Sequence, residues 1–275
     1  MRAIRRITLY TILVALALVF LAPSFGLVIS SLKTQSEFRT SPRILPAELQ
    51  WENYDLVFRL APFWRYARNS VVIAIISIVL NTFSSSLVAF GFARLRAPGK
   101  TVLFMLVVSM LLMPSTAMVI PQFILYTRLR LVNTYWPWAL AGAAGSAWHI
   151  FLFRQFFLTM PKDLEDAAEV DGCGWFRIFW QIFLPNSLPV VATSCIFQFA
   201  WAWSDYVWPS LYLSMDSMNL AGAVGGAFVW VDPTGASLEM VRMAAALLYL
   251  APMLIIFFLG QKYIVENVVT TGIKG

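Results

Sequence analysis

The chain contains 275 residues, of which 60% are hydrophobic and 12% are charged, and its net charge is +6. Soluble domains are about 45–50% apolar and about 25% charged, so this composition excludes a disordered chain, a disulfide scaffold and an ordinary soluble enzyme. A mean hydropathy of +0.73 instead indicates a membrane protein with several spans, in which the basic excess serves the positive-inside rule rather than nucleic-acid binding.

Six apolar stretches are each long enough to cross a bilayer, which requires about 20 residues per helix. The first follows Arg2, Arg5 and Arg6, and we interpret it as a retained helix because its apolar run is longer than that of a signal peptide. With the N-terminus inside, six spans place the C-terminus inside as well. We therefore expect an all-α, polytopic membrane protein that forms a single transmembrane domain over residues 1–275. The spans are predicted at residues 9–30, 70–93, 102–123, 136–157, 188–212 and 241–264.

Two long segments between the predicted spans lie on the outer side of the membrane. Residues 31–69 are polar and contain several prolines, and residues 213–240 are rich in glycine. Long loops in a compact chain are usually functional. We therefore expect these two segments to contact an external partner.

Polar side chains interrupt several of the predicted spans. Asn81 and Ser85 lie on the second span, Gln122 lies on the third and Gln198 on the fifth. Interhelical hydrogen bonding is the simpler explanation for any one of them, whereas a polar path across the membrane would explain them together. Asp205 lies near the outer end of the fifth span among tryptophans, where it is either a hydrated residue of an interface belt or a substrate contact. These five residues are the candidates for the lining of a substrate path.

The sequence offers no catalytic group and no metal site. Its two cysteines, Cys173 and Cys195, form no CxxC pair, and the single histidine, His149, cannot complete a zinc site with them. The Gly-Lys-Thr at 99–101 imitates the end of a phosphate-binding loop, but Arg94 stands where such a loop requires glycine. We therefore expect neither catalysis nor a bound cofactor in this chain.

The segment between the fourth and fifth spans is strongly acidic, because five of the fourteen acidic residues fall within positions 163–171. We predict a short helix that begins near Pro161, since proline is favoured in a first turn, and that stops at Gly172. An aromatic amphipathic stretch at 175–183 follows and leads into the fifth span.

One face of this short helix carries small residues at spacings of three and four. Small side chains permit close approach by another molecule, which favours a docking segment on the inner surface of the membrane. A solvated acidic connecting loop is the alternative. The residues that share this face are Leu164, Ala167, Ala168 and Asp171.

The same segment resembles the EAA signature of permease subunits of ABC import systems. Its string Asp-Ala-Ala-x-x-x-Gly at 166–172 is followed, after nine residues, by Ile-x-Leu-Pro at 182–185. The sequence looks like the carbohydrate-uptake branch, the relatives of the maltose-transporter permeases, and this resemblance extends over nearly the whole chain. Two positions depart from the family pattern, since Asp166 stands where glutamate is usual and Gly174 where serine or threonine would cap the next helix.

This resemblance implies an ABC type I importer permease that itself hydrolyses nothing. In the family, the loop helix sits in a groove of an ATPase subunit, so residues 158–187 would be the coupling loop. Its small residues would allow close seating, its acidic residues would contact the ATPase, and Leu184 and Pro185 would fix the angle of the fifth span. The residues assigned to coupling in this way are Leu164, Glu165, Asp166, Ala167, Ala168, Asp171, Gly172, Leu184 and Pro185.

The resemblance also implies the partners. They are a second, similar permease, two ATPase subunits that hold ATP and Mg²⁺, an extracytoplasmic solute-binding protein and a sugar substrate, all at the plasma (inner) membrane of a bacterium. ATPase closure would rock the helices from an inward-facing to an outward-facing arrangement. The binding protein would then deliver the sugar to a cavity between the two permeases.

Two other function classes fit the sequence less well. An autonomous secondary carrier for a small polar solute usually shows internal repeats and intramembrane ionisable residues, but apart from Asp205 and His149 the spans are nearly free of charge. A membrane-embedded enzyme needs a catalytic pair near the interface, which a single histidine without an activated nucleophile does not supply. The sequence therefore predicts an importer permease.

Overall fold

The computed structural model describes residues 2–40, 43–226, 229–233 and 235–272. Within these ranges the chain is helical and contains no strand, although Val231 and Ser237 form an isolated antiparallel bridge. The expected all-α class is therefore confirmed. The helices are α1 Arg2–Ser31, α2 Gln35–Thr40, α3 Glu52–Leu60, α4 Phe63–Arg94, α5 Lys100–Ser109, α6 Val119–Arg128, α7 Trp136–Ala144, α8 Ala147–Thr159, α9 Asp163–Val170, α10 Trp175–Ile178, α11 Leu188–Ser204, α12 Val207–Tyr212, α13 Leu220–Gly225 and α14 Glu239–Gly272.

Three of the described helices are long and apolar enough to cross a membrane, and two bent pairs raise the number of candidate spans to five. The single helices cover Arg5–Ser31, Phe63–Arg94 and Glu239–Tyr263. The bent pairs are Lys100–Leu112 with Ser115–Arg128, at 95°, and Trp175–Phe183 with Pro185–Ser204, at 45°. The fourth predicted span, 136–157, is not among these candidates, so a total of six stays a prediction.

The third predicted span is broken at Pro114. Proline lacks a backbone donor and disfavours the helical conformation of the residue before it, and Met113 accordingly has extended backbone angles, φ −78° and ψ 122°. A short 3-10 turn at Ser115–Met118 then redirects the chain into α6. The predicted span at residues 102–123 is therefore not a single continuous helix.

The fourth predicted span consists of α7 and α8, which are separated by Gly145 and Ser146. Gly145 ends α7 with φ +77°, a left-handed conformation that a residue with a side chain adopts at a cost. Gly142, on α7, lies so close to α4 that an added Cβ would stand 3.0 Å from the Cβ of Leu80. The small residues of α7 thus permit its close approach to α4.

Residues 1–66 and 223–252 form one compact unit. In this unit, Trp230 is 1% exposed and donates its indole N–H to the carbonyl oxygen of Val57 at 3.1 Å. The side chain of Gln35 donates to the carbonyl oxygen of Ser237 at 2.9 Å. These bonds join the two long segments that the sequence places on the same side of the membrane.

Residues 67–222 and 253–275 form the second compact unit. Two aromatic clusters pack along its part of α4. The first contains Tyr126, Trp138 and Tyr212 around Ile73. The second, here called the phenylalanine cluster, is made by Phe90, Phe153, Phe157, Phe179 and Phe183. The expectation of a single domain over the whole chain stays a prediction.

Candidate functional site

A cavity of about 810 Å³ lies within the second unit. Four of the five residues that the sequence proposes for a substrate path line it, namely Asn81, Gln122, Gln198 and Asp205. Ser85 does not line the cavity, because it is fully buried one helical turn further along α4. The structure thus brings residues from α4, α6 and α11 together around one space.

The breaks in the third and fourth predicted spans open onto this cavity. Met113 and Ser115 flank the break at Pro114, Gly145 and Ser146 form the break between α7 and α8, and these four residues belong to the cavity wall. Irregular backbone at membrane depth is tolerated where it is buried in protein or lines a water-filled cavity, since its polar groups need partners. The two breaks therefore help to place the cavity.

Asn81 is the centre of a hydrogen-bond network that connects α4 with α8 and α11. Its side-chain nitrogen donates to Oε1 of Gln198 at 2.8 Å and lies 3.0 Å from Nδ1 of His149. The hydroxyl of Ser85 donates to Oδ1 of Asn81 at 3.0 Å and accepts a hydrogen bond from the backbone N–H of Ser146, also at 3.0 Å. Ser85 therefore forms hydrogen bonds with residues of the cavity wall but does not itself line the cavity.

Asp205 follows the last residue of α11 and borders the same cavity. Its carboxylate accepts a hydrogen bond from the backbone N–H of Trp208 at 3.2 Å, so it stabilises the first turn of α12 in the manner of a capping residue. Asn219 donates its side-chain amide to the backbone carbonyl of Asp205 at 2.7 Å. The hydroxyl of Tyr212, which also borders the cavity, is buried without a hydrogen-bond partner.

The cavity wall is mainly apolar and aromatic, with several polar side chains. Among the described residues that line it there are one carboxylate, one imidazole and three carboxamides, and neither Lys nor Arg. No group of three or more described His, Cys, Asp or Glu side chains could hold a metal ion. The aromatic residues of the wall are Tyr126, Trp138, Trp148, Phe197, Trp201, Trp208 and Tyr212.

The acidic segment forms α9 and stops where the sequence predicts. Gly172 has φ +76°, which favours glycine because it has no side chain. Its N–H donates to the carbonyl of Glu169 at 3.0 Å, and the N–H of Cys173 donates to that of Ala168 at 2.9 Å. These two bonds are the pair that ends a helix in the Schellman motif. The predicted stop is confirmed, and the helix begins two residues after Pro161.

Two of the residues that the resemblance assigns to coupling are buried within this chain, and their role in coupling stays a prediction. Ala168 is 5% exposed and belongs to the phenylalanine cluster. Glu165 is 8% exposed, and its Oε1 lies 3.4 Å from the guanidinium of Arg94. Because these residues lie three positions apart, they share the inner face of α9. The residues of α9 and its stop that are exposed are Asp163, Leu164, Asp166, Ala167, Glu169, Val170, Asp171 and Gly172.

The local sequence does not mark Val170 as part of the exposed face of α9, nor Arg94 as a partner of α9. Val170 is an apolar residue that is 88% exposed at the end of α9. Arg94 is the last residue of α4 and is paired with a residue that lies 71 positions further along the chain. Helical periodicity could reveal the exposure of Val170. No local pattern reveals that Arg94 pairs with a residue so distant in the sequence.

The predicted bend before the fifth span is present at Leu184 and Pro185. The stretch Phe179–Phe183 is a π-helical turn, and the N–H of Leu184 donates to the carbonyl of Phe179 at 2.9 Å. Pro185 then begins a 3-10 turn at the 45° bend. Gly174 precedes α10 without a side-chain cap, in agreement with its departure from the family pattern. The role of these residues in coupling stays a prediction.

Comparisons with known proteins agree with this architecture. Residues 71–269 match the family of binding-protein-dependent transport system inner membrane components. The arabinooligosaccharides transport system permease protein AraQ of Bacillus subtilis is 30% identical over 281 residues, which cover 99% of this chain and 97% of that protein. The sn-glycerol-3-phosphate transport system permease protein UgpE of Yersinia pestis is 31% identical over 249 residues, or 88% of each chain.

The fold is similar to that of a chain in the crystal structure of a bacterial ABC transporter involved in the import of the acidic polysaccharide alginate. The TM-score is 0.82, the sequence identity is 22%, and the similarity covers 95% of this chain and 96% of the other. This likeness extends through both compact units.

Ser85 and Ser86 offer a matched test of the network behind the cavity, because both are fully buried on α4. Ser85→Ala removes the hydrogen-bond donor to Oδ1 of Asn81 and the acceptor for the Ser146 N–H, whereas, among the described residues, the Ser86 hydroxyl bonds to the carbonyl of Phe83 in its own helix and to nothing else. We expect Ser85→Ala to lower the free energy of unfolding by about 1–3 kcal/mol, and Ser86→Ala to lower it much less. Thermal unfolding in detergent measures both, and equal effects would contradict the assigned network.

Proposed function

This chain belongs to the family of binding-protein-dependent transport system inner membrane components, and on that premise we propose that it is a permease subunit of an ATP-driven sugar importer. Membership makes it a membrane permease component rather than an enzyme. One observation carries the rest of the proposal: a single compact unit holds both a cavity with polar side chains in its wall and an exposed acidic helix. A transport subunit needs both a solute path and a surface on which an energy source can act.

The proposed architecture has six spans with both termini in the cytoplasm, as in type I ABC importer permeases. The three single helices and two bent pairs supply five spans, and α7 with α8 supplies the remaining one. Its break at Gly145 is the kind of interruption that a membrane helix tolerates beside a cavity. The description of the family as an inner membrane component supports the proposed placement in a bacterial inner membrane.

The proposed coupling surface is the exposed face of α9. Ala167 and Gly172 offer close approach, Asp166 and Asp171 offer charge, and Val170 offers an apolar contact. Such a surface suits a groove in an ATPase subunit, which would hold ATP and Mg²⁺ and carry out hydrolysis. Two such ATPases and a second permease would complete the membrane assembly.

The segments 31–69 and 213–240 are the proposed contacts with an extracytoplasmic solute-binding protein. Hydrogen bonds join parts of the two segments in the first compact unit, so a binding protein would meet a connected surface rather than separate loops. In the proposed cycle, ATPase closure moves α9, the helices rock, and the binding protein releases its sugar into the cavity.

The side chains of the cavity wall favour the binding of a neutral sugar over that of an anionic one. Carboxamide, imidazole and hydroxyl groups both donate and accept hydrogen bonds, as sugar hydroxyls require, and aromatic rings suit the apolar faces of sugar rings. A phosphate or a uronate would meet Asp205 and no compensating Lys or Arg in this half of the path. Of the solutes named for the similar proteins, arabinooligosaccharides fit this wall better than glycerol 3-phosphate or alginate.

An autonomous secondary carrier is not favoured as the function. Such a carrier couples transport to ions through ionisable residues within its spans, and the family to which this chain belongs works with a binding protein.

Ala167→Arg tests the coupling surface. A long charged side chain would replace a methyl group at the proposed close contact, so we expect the affinity for the ATPase subunit to fall by about tenfold or more, with membrane insertion unchanged. The readouts are co-purification of the ATPase and ATP-dependent uptake. Ala167 suits this test better than Ala168, whose substitution would disturb the phenylalanine cluster.

Ala97→Arg is the control for this experiment, because Ala97 is exposed beyond the end of α4 but lies outside residues 158–187. It should leave both readouts near the wild-type values. Normal uptake and normal ATPase recovery in Ala167→Arg would refute the assignment of α9 as the coupling helix.

A panel of labelled solutes tests the class of substrate. Deletion of this chain in its native host should abolish the uptake of one or more neutral oligosaccharides, such as arabinotriose or maltotriose, because the cavity wall lacks positive charge. Uptake of glycerol 3-phosphate and of an alginate trisaccharide should be unaffected. A selective loss of either anionic solute would contradict the proposal of a neutral sugar.

A further inference from the structure

The side chain of Arg94 makes contacts with three parts of the second unit and is only 4% exposed. One terminal nitrogen donates to the carbonyl oxygens of Phe157, at 2.6 Å, and Met160, at 2.5 Å. The other lies 3.4 Å from Oε1 of Glu165 on α9, and the guanidinium carbon stands 5.0 Å from the ring centre of Phe183. One side chain at the end of α4 therefore contacts the end of α8, the acidic helix α9 and the π-helical turn.

Only arginine supplies this combination of contacts. Its planar fork directs several N–H groups to separate acceptors while its flat face rests on an aromatic ring. The two carbonyls belong to the last turn and the end of α8, and that of Phe157 also accepts a hydrogen bond from the N–H of Met160 at 3.2 Å. Removal of Arg94 would leave the buried Glu165 carboxylate without its ion pair and the carbonyl of Met160 without this donor, so the contact between α9 and α4 would loosen.

The opposite part of α4 faces the cavity. Ser77 and Asn81 line it, and Asn81 is bound to side chains of α8 and α11. Asn81 and Arg94 are 13 residues apart in one helix, which corresponds to about 20 Å at 1.5 Å per residue. One helix thus joins the cavity wall to the contacts of α9.

Among the candidate spans of the described chain, α4 is the one without a proline or a break. Pro23 and Pro252 lie inside α1 and α14, the third and fifth predicted spans are bent pairs, and the fourth is interrupted at Gly145. Kinks in helices arise at such positions. An uninterrupted helix moves as a stiff rod, whereas a kinked helix can absorb a displacement at its kink.

From these contacts we infer that Arg94 is the positioning residue through which movement of α9 reaches the cavity, with α4 as the connecting rod. This inference rests on the proposed function, in which an ATPase moves α9. Loss of the Arg94 contacts should therefore uncouple movement of the ATPase from movement of the cavity wall. The exposed face on which the ATPase docks should remain intact.

The test uses the assembled importer in proteoliposomes and needs no transported solute. A reporter thiol is introduced by Ala141→Cys, at an exposed residue of the cavity wall, in a chain whose two free cysteines are removed by Cys173→Ser and Cys195→Ser. Its rate of reaction with a water-soluble maleimide is measured without nucleotide and after vanadate trapping of the ATPase. We expect the two rates to differ by about fivefold or more when the chain is otherwise unchanged.

Arg94→Met keeps the length of the side chain and removes its charge and hydrogen bonds. We expect the two labelling rates to become nearly equal, while the ATPase co-purifies in normal amounts and still hydrolyses ATP. Arg96→Met is the matched control, because Arg96 is exposed two residues further on, and it should preserve the difference. A full nucleotide-dependent difference in Arg94→Met would overturn the inference.

Two milder variants keep the inference testable if Arg94→Met fails to assemble. Arg94→Lys retains the charge but not the fork, and Glu165→Gln retains a polar side chain but not the ion pair. Each should reduce the difference between the two rates, and an unchanged difference in both would overturn the inference. Equal rates in the reporter chain itself would instead count against ATP-driven movement of the cavity, and so against the proposed function.

Discussion

Burial of a carboxamide or a guanidinium among apolar side chains is costly unless hydrogen bonds compensate for it, and α4 carries both kinds of group, among them Asn81 and Arg94. Asn81 is satisfied by α8, α11 and its own helix. The two terminal nitrogens of Arg94 bond to the end of α8 and to α9, whereas its Nε is buried without a hydrogen-bond partner. These two requirements fix the neighbours of α4 at the cavity and at the acidic helix, and the rest of the second unit is arranged around them.

The cavity exists because the neighbours of α4 are irregular. The break at Pro114 and the break at Gly145 both contribute residues to its wall, and the bend at Leu184 and Pro185 sets the direction of α11. Backbone groups freed at such breaks need polar surroundings, which a solute path supplies. A straight α4 beside bent partners is a suitable construction for a subunit that changes shape, because the partners can flex while α4 carries the movement.

The sequence predicts the parts of this account that depend on local chemistry. Glycine at 172 ends α9 because a residue in the left-handed conformation follows the helix, and polar residues within apolar stretches point to four members of the cavity wall. The rotation of a helix about its own axis is harder to predict, because it depends on tertiary packing: Glu165 faces Arg94 and Ala168 faces the phenylalanine cluster. The pairing of residues 71 positions apart depends on tertiary packing, which no window of local sequence contains.

The central claim is that another subunit moves this chain through the exposed face of α9. A photo-crosslinking amino acid at Val170, an apolar residue that is 88% exposed, tests it directly in the assembled importer. The account predicts cross-links to the ATPase subunit, identified by mass spectrometry, whereas the same group at Ile75, an exposed residue of α4, should not cross-link to the ATPase. Cross-links from Val170 to lipid or to this chain alone would contradict the account.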